Sequence, residues 1–381
     1  MPRELRKWYA TDKEIFDVLA SSKQRVNASS LLEIARERGI FYSPRESRDA
    51  LASNISLLQH DYDSLKKLLG ESENPNRAEK VACVTLNAKL TMEAVKEVVT
   101  GFCGEASPDE KIVGRAEAAD RYVVQVQYPE LDYAKTRLLQ RRIREADIRF
   151  VIEDTKTTIR MPANLKAREI VDQLKSRIDA QQKAEISAEK IEITDLSADD
   201  RTLFFTSLIS KMKGYELRDV TNVKVQSSDK PPKPPTEDED EDAEEEAEEE
   251  ASATEQMMAV VENVALKGQA LLASAEYQLL KEKGFFITSI TWKSIQTESP
   301  YNIVEFEAGF EEAELGTGFR YNVRGLYRNR EGEFTKTLIP LTSGHKELIF
   351  PLIEKTALKE LAELRKKVGP ATVTANDGGK S

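Results

Sequence analysis

The sequence predicts an α+β fold in which a small all-helical N-terminal module precedes two α+β domains with mainly antiparallel sheets. Apolar residues recur every three or four positions over residues 1–71, which is typical of amphipathic helices. From Lys80 onward, strand-like alternation and helical segments follow one another. An acidic segment over 237–250, with 12 acidic groups in 14 positions, interrupts this second pattern. The predicted divisions are a helical module (1–71), an α+β domain (78–227), a proline-rich and acidic disordered linker (228–255), a C-terminal α+β domain (256–367) and a disordered tail (368–381).

Composition places the chain among ordinary globular proteins. It has 381 residues, of which 40 % are apolar and 32 % are charged, enough for two or three domains. No apolar run of about 18 residues and no secretory signal occur, and two cysteines do not make a disulfide framework. These features predict a cytoplasmic protein without membrane association. The net charge is −11, but removing the twelve charges of the acidic segment leaves +1, so the folded parts are predicted to be near neutral.

Local periodicity predicts the individual elements. In the helical module, helices are predicted over 12–20, 28–38, 45–58 and 64–69. In the first α+β domain, strands are predicted over 80–86, 121–128, 147–154, 157–161, 189–194 and 215–226, and helices over 91–102, 132–146, 163–182 (capped by Asn164) and 198–214. In the C-terminal domain, helices are predicted over 257–284 and 345–367, and strands over 285–296, 301–311, 318–328 and 334–341.

Two stretches on either side of the acidic segment resemble each other. Residues 213–227 and 283–297 share Lys, Gly, Thr and Gln at equivalent positions. In both, a predicted helix ends at a glycine, which suits a left-handed C-cap, and an alternating strand follows. A convergent helix–glycine–strand pattern and a duplicated α+β module both explain this similarity.

Residues 28–58 form two amphipathic helices with an extended connection between them. Gly39 ends the first predicted helix, and Pro44 is placed to start the second at Arg45. The first apolar stripe comprises Leu31, Leu32, Ile34 and Ala35, and the second comprises Leu51, Ile55 and Leu58. Four arginines flank the connection: Arg36, Arg38, Arg45 and Arg48.

This pattern resembles the SAP family of DNA-binding helix–extended-loop–helix modules. The resemblance implies phosphate binding, with Arg45 and Arg48 at the start of a helix whose dipole also favours anions. Residues 1–70 contain 12 Lys/Arg and 10 Asp/Glu, a net charge of +2, whereas a dedicated duplex binder concentrates more positive charge on one face. A generic three-helix packing domain or a winged-helix relative fits the pattern too, so protein docking and a structural role stay open.

The helix predicted over 132–146 carries a second group of basic residues. Arg137, Arg141 and Arg144 recur at i, i+4 and i+7, so they share one face of that helix. The residues expected to point into the core are Leu138, Leu139 and Ile143. The basic face is interpreted either as a solvated surface, as a phosphate-binding ridge or as a docking site for the acidic segment.

Residues suited to catalysis are few. The two histidines, His60 and His345, and two cysteines 20 positions apart, Cys83 and Cys103, do not predict a zinc site. No phosphate-binding loop motif occurs, so no cofactor is expected.

One short pattern suggests an enzyme. Glu153, Asp154 and Lys156 end a predicted strand, after an earlier acid such as Asp132 or Asp147. This order resembles the metal-dependent PD-(D/E)xK nucleases, and the resemblance implies carboxylates that hold Mg²⁺ and a lysine that orients the attacking water. A polar β-turn is the ordinary interpretation of the same residues.

Together these patterns favour a non-enzymatic, nucleic-acid-associated adaptor or regulatory subunit of a cytoplasmic complex. The N-terminal module would contact DNA or a protein partner, and the C-terminal domain would hold another component. The alternatives are a metal-dependent nuclease that uses Glu153, Asp154 and Lys156, and a structural assembly subunit without nucleic-acid contact. A homo-oligomer is compatible with each of them.

Overall fold

The chain forms an α+β structure with two compact units that interleave along the sequence. The computed structural model describes residues 10–72, 79–105, 107–227, 263–267 and 271–368. The first unit comprises Met1–Ala78, Thr91–Arg149 and Gln173–Gln181. The second unit comprises Glu79–Leu90, Phe150–Asp172 and Gln182–Ser381.

Four helices open the first unit, as the apolar spacing predicts. They are α1 (Asp12–Ser21), α2 (Ala28–Glu37), α3 (Arg48–Ser56) and α4 (Tyr62–Ser72). Polar N-caps start the first three: Thr11 forms a capping box with Glu14, Asn27 accepts from the amide of Ser30, and Ser47 caps α3. The predicted start of α3 at Arg45 is wrong, because Pro44 lies in a turn closed by the Glu46 amide and the Ser43 carbonyl.

An antiparallel sheet and two helical segments complete the first unit. The elements are α5 (Met92–Gly104), β2 (Lys111–Ala118), β3 (Arg121–Leu131), β4 (Arg141–Ile152) and α6 (Leu165–Gln182), with the strands in the order β2–β3–β4. The division between the units falls within β4 and α6. Strand β2 was not predicted, whereas the cap of α6 is confirmed, since Asn164 Oδ1 accepts from the amide of Ala167 at 2.8 Å.

The helix predicted over 132–146 is wrong. Residues 132–140 form turns, and β4 follows, in which buried Ala146, Ile148 and Phe150 alternate with more exposed residues. This alternation buries one face of a strand, which is more favourable here than the helical stripe suggested by the same apolar residues. Leu138 and Leu139 are buried as predicted, and they complete the core of the four N-terminal helices.

The second unit contains the longer series of strands, which is antiparallel throughout its described pairs. Its strands are β1 (Val81–Leu86), β5 (Thr157–Pro162), β6 (Ala188–Glu189), β7 (Tyr215–Ser227), β8 (Asn263–Lys267), β9 (Phe285–Gln296), β10 (Ile303–Glu312) and β11 (Thr317–Tyr327). The strand order is β5–β1–β11–β10–β9–β7–β8, and β6 pairs with β1. The other elements are α7 (Ala198–Ser210), a 3₁₀ turn (Leu271–Ala273), α8 (Ala275–Glu282), a hairpin of β12 (Asn329–Arg330) with β13 (Glu333–Phe334), and α9 (Ser343–Val368).

Three predicted elements of this unit differ in the structure. The single helix over 257–284 is wrong, since β8, the 3₁₀ turn and α8 occupy its described part; Val264 and Leu266 of β8 pack against the sheet core. The strand over 334–341 is also wrong, because pairing beyond β13 is limited to an isolated bridge between Leu326 and Ile339. Of the strand over 189–194 only its first residue is paired, in β6.

Strands on both sides of the acidic segment belong to one sheet. Gln226 of β7 pairs with Asn263 of β8, and Val220 of β7 pairs with Trp292 of β9. Residues of both predicted α+β domains therefore lie in the second unit, and the linker predicted over 228–255 lies outside the described residues. The two similar stretches are the adjacent strands β7 and β9, each preceded by a helix and a left-handed glycine, Gly214 and Gly284.

The core of the second unit lies between the sheet and two helices. Helix α7 packs against β9 and α9, and α9 packs against β11. Trp292 stacks on Phe306 with the ring centroids 5.2 Å apart, and both side chains are fully buried. This core holds α9 against the sheet, where polar residues of the helix meet those of β5 and β11.

Candidate nucleic-acid interface

The connection between α2 and α3 is an exposed loop with a defined backbone. Gly39 ends α2 with φ +73°, a conformation that a side chain disfavours. After the turn at Pro44, Ser47 accepts a hydrogen bond from the amide of Ala50 at 3.2 Å and starts α3. Between these points Phe41 is 79 % exposed. An aromatic ring held in solvent on an ordered loop is available for stacking or docking.

Arg48, predicted to contact phosphate, is used inside the module. Its Nε donates to the carbonyl of Val26 at 3.2 Å, and its Nη2 donates to the carbonyl of Leu19. Its Nη1 lies 3.5 Å from Asp49, and the side chain is only 17 % exposed. Arg48 therefore ties α3 to the end of α1 and the start of α2, and these contacts do not favour a role in phosphate binding.

Arg38 is also engaged inside the module, through His60. The Arg38 guanidinium has only donors, so it donates from Nη2 to Nδ1 of His60 at 2.9 Å, and His60 Nε2 donates to the carbonyl of Ile55 at 2.9 Å. This arrangement requires a neutral imidazole. Burial lowers the pKa of His60, and the charge of Arg38 lowers it further, against the raising effect of the Ile55 carbonyl.

Of the four arginines that flank the connection, Arg36 and Arg45 face solvent. Both side chains are exposed, and neither makes an ion pair within the described ranges. They precede and follow Phe41 in the chain, at the end of α2 and just before α3. Residues 36–48 contain four arginines and two glutamates, so the loop region is basic although the module as a whole is not.

The basic ridge predicted on a helix is not formed. Arg137 lies in the β3–β4 connection and pairs with Glu14 of α1, while Arg144 pairs with Glu130 of β3 at 2.7 Å. Arg141 and Arg144 lie three positions apart on β4, so they point to opposite faces of the sheet. Ile143, expected in the core, is exposed. A nucleic-acid contact by these arginines stays a prediction, but the single helix face that was expected to carry all three of them is not formed.

The three residues of the nuclease pattern lie at the turn between β4 and β5. The Glu153 amide donates to the Lys156 carbonyl at 2.8 Å, which closes a polar turn. Lys156 Nζ lies 2.7 Å from Glu189 Oε2, and Glu153 lies 3.1 Å from the amine of Lys355. Asp154 extends into solvent. Within the described ranges, no group of three potential ligands is positioned to hold a metal ion.

A group of buried charges in the second unit forms a network that sequence patterns did not reveal. Arg160 of β5 contacts Glu354 of α9 through two hydrogen bonds, Nε–Oε1 at 2.7 Å and Nη2–Oε2 at 2.9 Å, and both residues are 5 % exposed. Arg160 Nη1 also donates to Glu347 at 3.2 Å, and the Tyr321 hydroxyl donates to Glu354. The signal in the sequence is weak: an arginine within a strand, and two glutamates seven positions apart on one helix face.

Electrostatics within this network favour a structural role. Burial lowers the pKa of Arg160, but the hydrogen bonds and charge of Glu354 outweigh it and raise the pKa above its ordinary value. Burial, followed by the negative charge of Glu354, raises the pKa of both Tyr321 and Cys83. Cys83 is therefore a neutral thiol rather than a thiolate nucleophile. The network fixes α9 to β5 and β11.

A small cleft lies beside the network, where β1 and β11 separate. The two strands pair only at Val81 and Tyr321, and the chain after β6 enters the gap, where the amide of Ile193 donates to the carbonyl of Gly316 at 2.9 Å. The cleft has a volume of about 200 Å³. Apolar side chains and charges of both signs line it, including Met161, Phe319, Arg168, Lys190 and Glu312. Charges of mixed sign do not select one class of ligand.

Comparison with protein-family models and with curated proteins gives no match for this chain. Among the helices in the described ranges, none combines the length and the apolar character that crossing a membrane requires.

Proposed function

We propose that this protein is a nucleic-acid-associated adaptor and that the α2–α3 connection contacts nucleic acid. One observation carries the proposal: Phe41 is 79 % exposed on an ordered loop, with the solvent-facing Arg36 and Arg45 on either side of it in the chain. An aromatic side chain accompanied by cations is the combination that proteins use to bind unpaired bases and their phosphates.

The arrangement favours unpaired nucleic acid over a duplex. Stacking needs an accessible base face, which a single strand, a loop or an end offers and a closed duplex does not. Duplex binding by phosphates alone needs many cations, whereas Arg38 and Arg48 are engaged inside the module. Two cations release few counterions, so binding is expected to be weakly salt-dependent. On a single strand, the logarithm of the binding constant falls with the logarithm of the salt concentration by about 0.7 per phosphate contact. Two contacts therefore correspond to a roughly sevenfold loss of affinity between 50 and 200 mM salt.

The remainder of the chain provides the adaptor function in this proposal. The second unit would bind another component of the complex, while the first unit binds nucleic acid.

Fluorescence anisotropy with labelled single-stranded and duplex oligonucleotides at low salt tests the proposal. Loss of the stacked ring in Phe41→Ala is expected to weaken single-strand binding by about 5- to 150-fold, the equivalent of 1–3 kcal/mol. Arg36→Glu combined with Arg45→Glu is expected to weaken it further and to flatten the salt dependence.

Matched variants in the same module control for folding and for net charge. Leu57→Ala removes another exposed apolar side chain, and Lys13→Glu with Lys66→Glu makes the same change in charge at other exposed positions. Both controls should bind like the unmodified protein. Absence of binding to every oligonucleotide at low salt, or equal binding by the Phe41 variant and its control, contradicts the proposal. A protein partner lost only in Phe41→Ala would assign the loop to protein docking instead.

A further inference from the structure

Strand β2 has one edge to which no strand of the described residues is paired. It is the outermost strand of the order β2–β3–β4, and no strand of the described ranges pairs with its other edge. Its residues from Arg115 to Ala118 are exposed, as are Lys111 and Val113, the latter at 44 %. Helix α5 covers the face of the strand rather than its edge, since a Cβ on Gly114 would meet the Val99 side chain of α5 at 2.8 Å.

The usual protections of an exposed edge are weak in β2. Natural edge strands are commonly short, contain proline or place charges where a second strand would pair. Strand β2 has eight residues and no proline, and three successive residues of it, Ile112, Val113 and Gly114, carry no charge. Its charges, Lys111, Arg115 and Glu117, are of both signs, so they can pair across a symmetric edge instead of only repelling a second strand. A register shift against β3 occurs only near its end, between Ala116 and Ala118. The regular part of the strand therefore presents backbone donors and acceptors to a further strand.

We propose that the β2 edge pairs with β2 of a second copy of this chain, antiparallel and centred on Gly114. A two-fold axis perpendicular to the sheet keeps each face of the sheet on the same side, so residues that lie opposite each other must point to the same face. Because successive residues of a strand point to opposite faces, the axis must pass beside a residue of the strand and not between two residues. With Gly114 at the axis, Lys111 lies opposite Glu117 of the second copy, and this pair occurs twice.

Charge selects this register among the neighbouring ones. An axis at Val113 would place Lys111 opposite Arg115, and an axis at Arg115 would place two copies of that arginine together. Directly opposed like charges destabilise a sheet. Of the registers centred on Val113, Gly114 and Arg115, only the one centred on Gly114 pairs opposite charges and avoids like ones. An axis at Ala116 would place Arg115 opposite Glu117, but it coincides with the register shift between Ala116 and Ala118 and so lies outside the regular part of the strand. Arg115 and Glu117 lie on one side of the strand, with their charged atoms 3.7 Å apart, so Glu117 is on the face that Lys111 also occupies.

Charge reversal tests both the pairing and its symmetry. Sedimentation velocity over about 1–100 μM is expected to show a concentration-dependent dimer, as small interfaces are weak. Lys111→Glu alone and Glu117→Lys alone each juxtapose like charges twice, and each should raise the dimer dissociation constant at least tenfold. The double variant exchanges the two charges and should restore the dimer. Lys96→Glu, a reversal at an exposed position of α5, should leave it unchanged.

Cysteine cross-linking tests the register directly. Val113 lies opposite Arg115 of the second copy, so Val113→Cys combined with Arg115→Cys should form a covalent dimer on mild oxidation. Either cysteine alone lies opposite no copy of itself, and positions more than about 7 Å apart cannot be bridged without backbone movement. The single variants also report any cross-linking through Cys83 or Cys103.

A monomer at the highest concentration overturns this proposal. So does a dimer whose affinity ignores both single charge reversals, or equal cross-linking by single and double cysteine variants. The outcome is independent of nucleic-acid binding, because the loop of Phe41 and the β2 edge share no residue.

Discussion

The buried pair of Arg160 and Glu354 provides the sharpest test of what stabilises the second unit. Arg160→Met removes the guanidinium and leaves the Glu354 carboxylate, 5 % exposed, with the Tyr321 hydroxyl as its remaining partner in the network. Leaving one member of a buried ion pair uncompensated costs about 3–5 kcal/mol of unfolding free energy. Units of 150–250 residues shift in Tm by about 2–4 °C per kcal/mol, so a decrease of roughly 6–20 °C is expected.

A second substitution separates the cost of the unpaired charge from the value of the pair. Arg160→Met with Glu354→Leu removes both charges, and replacing a buried pair by apolar side chains is often close to neutral. The double variant is therefore expected to be more stable than Arg160→Met alone. Lys156→Met is the matched control, because the ion pair of Lys156 with Glu189 is about 40 % exposed on both sides and such pairs contribute at most about 1 kcal/mol.

Urea denaturation followed by fluorescence measures these differences, since Trp292 is fully buried in the core of the second unit. The reasoning is refuted if Arg160→Met loses no more stability than Lys156→Met. It is also refuted if the double variant is no more stable than Arg160→Met alone, because removing the second charge would then relieve no uncompensated charge.

Three further substitutions test the local structure. Arg48→Ala leaves two backbone carbonyls of the helical module without the guanidinium that donates to them. This should lower the unfolding free energy by about 1–3 kcal/mol, measured by urea titration followed by circular dichroism. Arg48→Lys should not restore the lost stability, because the amine of lysine lacks the planar fork of donors that a guanidinium has. The folded state holds His60 neutral beside Arg38 and binds fewer protons than the unfolded state. The contribution of His60 to the unfolding free energy is therefore fully present above about pH 6.5 and should decrease as the pH drops below that value. The substitution His60→Gln should remove this pH dependence of the urea midpoint. Gly316→Ala should cost about 1–3 kcal/mol, because φ is +74° and the added Cβ would lie 2.5 Å from the side chain of Ile193; a Tm equal to that of the unmodified protein would contradict this reasoning.

Local patterns in the sequence were sufficient to predict a helix or strand wherever its formation depends mainly on its own residues. The four N-terminal helices, α5, α7 and α9 follow from apolar spacing of 3.6, and the long strands β7, β9, β10 and β11 follow from alternation. Side-chain caps also act within a few residues, so Asn164 was identified correctly. The same patterns wrongly predicted single helices over 132–146 and 257–284. Where apolar residues are spaced both two and four positions apart, the spacing is compatible with a strand as well as with a helix.

What the sequence alone determined is the α+β class, most of the helices and strands, and the basic connection around residues 36–48; it did not single out Phe41 within that connection. Only the tertiary structure decided which arginines of that connection face solvent, since the carbonyls bound by Arg48 lie 22 and 29 positions away. It also decided that β7 and β9 are neighbours across the acidic segment, and that Arg160 meets Glu354 at a separation of 194 residues. The physical reason is the same in each case: periodicity records which side of an element is apolar, whereas a hydrogen bond between distant residues depends on how the elements pack.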